Sequence, residues 1–226
     1  MGVDLIYEQM KPLGFGQITG IDILGESRGV LPSTDWKRTT YKKAEQQRWY
    51  SGETISLGIG QGYNSFTMLQ VAHATATIAN NGLKMRPHIV REVLDVETKA
   101  PTPVAKEPIG QLPLSPENLD IIKRAMIGVN IEGTSATSFV GAQYVSAGKT
   151  GTAQVYTVKQ NEKYNAATVD ERMRDHALFI AFAPADDPKV ALAMVVENSG
   201  FGAQNAAPIA RRVFDFVIMG QYPSEE

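Results

Sequence analysis

Val145-Ser146-Ala147-Gly148-Lys149-Thr150-Gly151-Thr152-Ala153-Gln154-Val155 is the stretch from which the fold is read. β-Branched residues at 145, 150, 152 and 155 favour extended backbone on both sides of a Lys-Thr-Gly-Thr centre. Alternation along a strand puts Lys149 on one face and is taken to divide Thr150 and Thr152 between the two. Gly148 and Gly151 remove side chains where another backbone or a ligand could come close.

Spacing separates three motifs that could claim these residues. A phosphate-cradling P-loop needs a glycine at 143, which is Gln; the nearest upstream glycine is Gly141, so it is excluded. Ser146-Ala-Gly-Lys149 formally fits Ser-x-x-Lys, the nucleophile motif of acyl-serine enzymes. That motif opens a helix, and two glycines within six residues make a poor helix start. The third is a Lys-Thr-Gly strand lining an acyl-serine site. A bare tripeptide would be an ordinary edge strand with a glycine bulge, so the surroundings must decide.

They do. Ser146–Val155 resembles the Lys-Thr-Gly region of class B penicillin-binding proteins, and within them the rod-elongation branch, the penicillin-binding protein 2 group. Gly14-Phe-Gly16 with Thr19-Gly-Ile-Asp22, Gly52-Glu53-Thr54 through Gly58-Ile-Gly-Gln-Gly62, and Ala72-His-Ala-Thr-Ala-Thr77 share the resemblance. Arg174-Asp-His176 and Phe182-Ala-Pro184 continue it, so that it runs from about residue 1 to about residue 219.

Bulk properties are compatible. The 226 residues can bury one good core, and a net charge of −2 gives no basic field for a nucleic-acid partner. Without cysteine there is no disulfide or thiolate metal site. His73, His88 and His176 are scattered, no metal spacing is present, and no cofactor is expected. No segment is apolar for long enough to span a bilayer, and no signal peptide or anchor is read at the start.

Outward from the strand, the elements are read from capping and periodicity. A short helix is expected over 4–11 with Asp4 at its N-cap, then a strand at Ile21–Leu24 among glycines. The charged run 37–48 reads as a solvated loop rather than a lipid-facing patch. Gly58-Ile-Gly-Gln-Gly62 lacks the third glycine of a dinucleotide loop, since 63 and 65 are Tyr and Ser. Thr67 caps a helix over Met68–Ala79, closed by Asn80-Asn81-Gly82. Its burial is assigned to Ala72, Ala76 and Ala79 with Leu69, Val71 and Ile78, and His73 is read as a core histidine. A strand or hairpin follows over 85–98, and the Pro-rich run 101–113 is a connector. Ser115-Pro116 opens a helix with the stripe Leu119, Ile122, Met126 and Val129.

Beyond the key strand, 157–175 is expected to form a partly helical flap. Residues 176–183 and 189–197 make an antiparallel hairpin around Ala185–Pro188, apolar on both faces and so covered by helices on both sides. The last helix starts near Pro208 and is expected to bury Ile209, Val213 and Phe216; 220–226 is a tail. The fold class is therefore α+β, an antiparallel sheet covered by helices on both faces. The resemblance implies an incomplete penicillin-binding protein and serine β-lactamase-like fold, with 1–226 the C-terminal part of a transpeptidase domain.

The resemblance also implies the chemistry. Lys149, Thr150, Gly151 and Thr152 are the catalytic strand, with Thr150, Thr152 and Ala153 binding substrate. Lys149 supplies positive charge and assists proton transfer. The two threonines hydrogen-bond the substrate or β-lactam carboxylate, Gly151 permits close approach, and the Thr152 N–H is one of two oxyanion donors. No other Ser-x-x-Lys and no Ser-x-Asn occurs, so the nucleophile is expected upstream and the chain alone is expected to be inactive. Implied partners are peptidoglycan stem peptides, β-lactams and elongation-complex membrane proteins, at the periplasmic face of a bacterial inner membrane. The alternative is a nucleophile-free module that docks peptidoglycan or a partner protein.

Overall fold

The computed structural model describes residues 1–155 and 169–221. The chain divides into two compact units: Met1–Gly58 with Gly62–Leu114, and Ile59–Gln61 with Ser115 onward. Among the described residues, no helix is long and apolar enough to cross a membrane.

The first unit begins with α1 (Val3–Met10), followed by one 3-10 turn that stops at Gly14, whose φ of 99° favours glycine. Gly2, not Asp4, is the N-cap; Asp4 instead accepts hydrogen bonds from the Thr34 N–H and hydroxyl. The expected strand at 21–24 is absent. Gly20, Gly25 and Gly29 all take positive φ, turning the chain too often for a ladder, and only an isolated bridge joins Val30 to Ser65. The charged run is solvated at Arg38, Lys42, Lys43, Glu45 and Arg48, as expected, but it is not a loop. It forms α2 (Thr34–Thr40) and α3 (Ala44–Gln47), and Lys37 is buried. Counting charges missed the aromatic residues that cover it.

After α4 (Ser51–Gly58), α5 (Met68–Ala79) has the expected bounds and a complete capping box between Thr67 and Gln70. Its most buried side chains differ from the expected stripe: Gln70, His73, Ala74, Thr75, Thr77 and Ala79 are buried, while Ala72 and Ala76 are half-buried. Polarity concealed this face. The Gln70 amide is saturated, donating to the carbonyls of Gln17 and Arg28 and accepting from the Thr67 N–H. His73 is a core histidine whose Nε2 bonds the Met85 carbonyl at 2.7 Å.

Two ribbons complete the unit. β1 (Leu83–Met85) pairs with β4 (Pro108–Gln111), and β2 (Glu92–Leu94) pairs with β3 (Pro101–Pro103). The expected Pro-rich connector thus holds two strands, because proline is tolerated where no neighbour needs its N–H.

The second unit holds α6 (Pro116–Ile131), α7 (Ala136–Phe139), β5 (Ala147–Ala153), β6 (His176–Ala183), β7 (Val190–Val196), α8 (Gly202–Asn205) and α9 (Ala207–Met219). The three strands form one antiparallel sheet in the order β5-β6-β7. Ala177, Phe179, Ala181 and Ala183 line one face and pack on Phe139, Ala207, Ala210 and Phe214. On the opposite face the Lys123 ammonium of α6 lies 5.9 Å from the Phe182 ring centroid. The architecture is α+β.

Two expectations change here. α9 buries Ala207, Ala210 and Phe214, leaving Ile209, Val213 and Phe216 at 43%, 37% and 45% exposure. Its alanines let the helix backbone approach the alanines of β6, and that close fit outweighs the larger stripe. Thr150 and Thr152 are two residues apart on an unbroken strand and share a face, opposite Lys149. Of the expected flap, 157–168 lies outside the described residues; Glu171–Met173 forms a single 3-10 turn. Of the tail, 222–226 also lies outside them.

Candidate functional site

β5 is an edge strand. β6 takes one side of it in continuous register from Ala147↔Phe182 to Ala153↔His176, and no described strand takes the other. The carbonyls of Thr150 and Thr152 find partners off the ladder, Lys149 Nζ at 2.6 Å and Gln61 Nε2 at 3.5 Å. In an antiparallel strand the N–H and C=O of one residue point to the same edge, so the Thr152 N–H also faces the open side. The Lys149 side chain is exposed.

Glycines set how closely neighbours approach this strand. A Cβ on Gly148 would come 2.6 Å from Phe179 Cζ and 3.0 Å from Asn130 Oδ1. Gly202 brings the start of α8 onto the β5–β6 rung: a Cβ there would meet the Leu178 carbonyl at 2.1 Å and the Gly151 carbonyl at 2.5 Å. Gly151 faces the Leu178 side chain, where a Cβ would sit 3.1 Å from Leu178 Cβ. These positions are occupied by glycine for packing as much as for any ligand.

A buried polar chain fixes α6 to the strand. Ser135 Oγ donates to Asn130 Oδ1 at 2.7 Å, and Asn130 Nδ2 donates to Ser146 Oγ at 2.8 Å. Ser146 is 3% exposed and precedes a strand, so it does not stand at a helix start as a Ser-x-x-Lys nucleophile does. The turn between these anchors carries Thr134, whose hydroxyl lies 2.8 Å from the Thr150 hydroxyl.

Arg174-Asp175-His176 braces the far end of the pairing, opposite Ala153. His176 Nδ1 accepts from the Asn198 N–H at 2.9 Å, and the Asn198 amide donates to the carbonyls of Arg172 and Arg174. Burial pushes the Asp175 carboxyl up, against the opposing pull of His176 and of the Val155 N–H. No group of three His, Cys, Asp or Glu side chains among the described residues could hold a metal.

The structure therefore brings Lys149, Thr150, Gly151, Thr152 and Ala153 onto one open-edged strand, and adds Asn130, Thr134, Ser135 and Gln61, which sequence reasoning passed over. Gly133-Thr-Ser135 carries no local signal beyond a glycine that breaks a helix. Gln61 was legible only as part of a glycine-rich loop.

Comparison with known proteins identifies the family. The profile of the penicillin binding protein transpeptidase domain matches residues 1–215. The peptidoglycan D,D-transpeptidase MrdA of Haemophilus influenzae is 40% identical over 235 residues, covering 100% of this chain and 34% of that protein. The chain thus spans about a third of the length of the curated relatives it matches. Among solved structures, Pseudomonas aeruginosa PBP2 in complex with WCK 5153 superposes with a TM-score of 0.76 at 36% identity, covering 99% of this chain and 44% of that one. PBP2 of Helicobacter pylori, in a complex with MreC, gives 0.75 at 27% identity, with 97% and 37% covered.

Proposed function

Because the chain belongs to the penicillin-binding protein transpeptidase family, we propose that it builds one wall of a peptidoglycan D,D-transpeptidase site. The observation that carries this is the open edge of β5 bearing Lys-Thr-Gly-Thr, with the Thr150 and Thr152 backbone groups directed away from β6. An extended stem peptide ending in D-alanyl-D-alanine would lie along that edge and take main-chain hydrogen bonds from it. Lys149 would supply positive charge beside the reacting centre and assist proton transfer. The hydroxyls of Thr150 and Thr152 would hold the terminal carboxylate, or that of a β-lactam. The Thr152 N–H would donate to the oxyanion as the tetrahedral adduct forms. Ala153 would line the peptide's path. The attacking serine is not supplied by these residues.

Stem peptides and β-lactams are then the ligands, a membrane-associated elongation protein is the partner, and the periplasmic face of the inner membrane is the location. Fluorescent penicillin tests this. The intact gene product should label covalently, and Lys149→Ala should slow the labelling. The 226-residue chain alone should bind a D-alanyl-D-alanine pentapeptide reversibly without labelling. Covalent labelling of that chain, abolished by Ser146→Ala, would overturn the assignment of the strand and restore Ser146 as a nucleophile.

A further inference from the structure

Thr134 and Thr150 present two hydroxyls 2.8 Å apart on an exposed surface, and such a bond contributes little to stability because water replaces it readily. The surrounding architecture nevertheless holds it firmly. α6 ends in a turn so tight that a Cβ on Gly133 would sit 2.7 Å from Val129 Cα. Ser135, fully buried, has its one hydroxyl proton within reach of Asn130 Oδ1 at 2.7 Å and of the Val129 carbonyl at 3.0 Å. Asn130 in turn holds Ser146, one residue before β5, and the missing side chain of Gly148 leaves room for its amide. Thr134 is thus flanked on both sides by buried anchors and aimed at the middle of the strand.

We infer that Thr134 is a positioning residue that orients the Thr150 hydroxyl toward the carboxylate of the bound acyl donor. A hydroxyl has one proton and two lone pairs. When the Thr134 O–H donates to Thr150 Oγ1, it occupies a lone pair there and leaves the Thr150 proton free to point at an anion. Donation into Thr150 also polarises its O–H, strengthening the outgoing bond. Without Thr134, the Thr150 hydroxyl can rotate to other partners, including water. The inference rests on the proposed transpeptidase site and adds to it the side chain that sets carboxylate recognition.

The test measures the second-order acylation rate of the intact gene product by a penicillin and by the same penicillin esterified at its carboxyl. Thr134→Val keeps the shape and removes the hydroxyl; Thr134→Ser keeps the hydroxyl; Thr134→Ala guards against a packing defect from valine. The expected result is a roughly fivefold to tenfold loss with the free acid in the Val and Ala variants, through weaker binding rather than slower chemistry, with Ser near wild type. With the ester, the variants should match wild type. Equal losses with acid and ester would mark a merely structural role and overturn the inference. Wild-type rates in Thr134→Val beside a slow Lys149→Ala would overturn it while sparing the site. Wild-type rates in both would overturn the two together.

Discussion

Two lysines show how the surroundings decide what a charge can do. Lys37, in the first unit, is 3% exposed. Its ammonium pairs with Glu53 and lies 5.3 to 5.5 Å from the ring centroids of Tyr50, Tyr63 and Trp49. Burial pushes the Glu53 carboxyl up, but hydrogen bonds from Lys37, the Tyr50 N–H and the Tyr63 hydroxyl outweigh it, and the net shift is downward. Lys149, in the second unit, is exposed on the strand, and among the described residues its ammonium donates to the neighbouring Thr150 carbonyl. The first has its charge taken up inside the protein; the second, in the proposed function, offers its charge to a ligand. A charged residue's role follows from how much of that capacity the fold has already used.

The most severe way to break the contrast is Glu53→Ala. It leaves a buried ammonium without its counter-ion, and we expect a loss of about 3–5 kcal/mol in urea unfolding. Lys37→Met, which removes the charge but keeps the length, leaves the less buried Glu53 carboxylate still bonded to the Tyr50 N–H and the Tyr63 hydroxyl, and should cost less, about 1–3 kcal/mol. If Lys37→Met proved as damaging as Glu53→Ala, the lysine would be doing more than filling an aromatic box.

Lys149→Ala should do the reverse. Unfolding should move by no more than about 0.5 kcal/mol, as for other exposed positions. Penicillin acylation of the intact gene product should fall by about 10²-fold, the scale of losing one preorganised electrostatic group. A stability loss without an acylation defect would place Lys149 in the same class as Lys37.

Gly148→Ala sits between the two, since it perturbs packing behind the functional strand. Its Cβ would press on Phe179 and the Asn130 amide, and about 1–3 kcal/mol of overpacking cost is expected. An Asn130→Ala background should relieve part of that cost, which a double-mutant cycle would read.

The smallest effect concerns pH and the first unit. Burial holds His73 below the ordinary 6.5, opposed by its bond to the Met85 carbonyl. The folded state keeps it neutral while the unfolded chain takes up a proton. Its contribution to stability is thus present above pH 6.5 and is lost as pH falls from there through the folded value. His73→Gln should flatten that part of the stability–pH curve, and an unchanged slope would assign it to other groups.

Helices with end signals were legible almost to the residue. Thr67 with Gln70 bounds α5, and Ser115 with Pro116 opens α6, because caps act locally and can be read without the partner surfaces. The hairpin β6–β7 was legible because runs of apolar residues around Asp-Asp-Pro have few other uses. What failed depended on distant neighbours. Lys37 looks like a surface charge until Trp49, Tyr50 and Tyr63 surround it. α9 looks as if its larger residues face inward until the alanines of β6 meet Ala207 and Ala210.

The same division holds for the site. By itself the sequence determined that Lys149-Thr-Gly-Thr152 is extended, and its resemblance determined the family, since propensity and motif spacing are properties of adjacent residues. Only the tertiary structure decided that no described strand pairs with one edge of this strand, that both threonines share a face, and that Thr134 reaches Thr150 from a turn 16 residues upstream. Edge, face and reach are relations among segments that meet only when the chain has folded, and no local pattern encodes them.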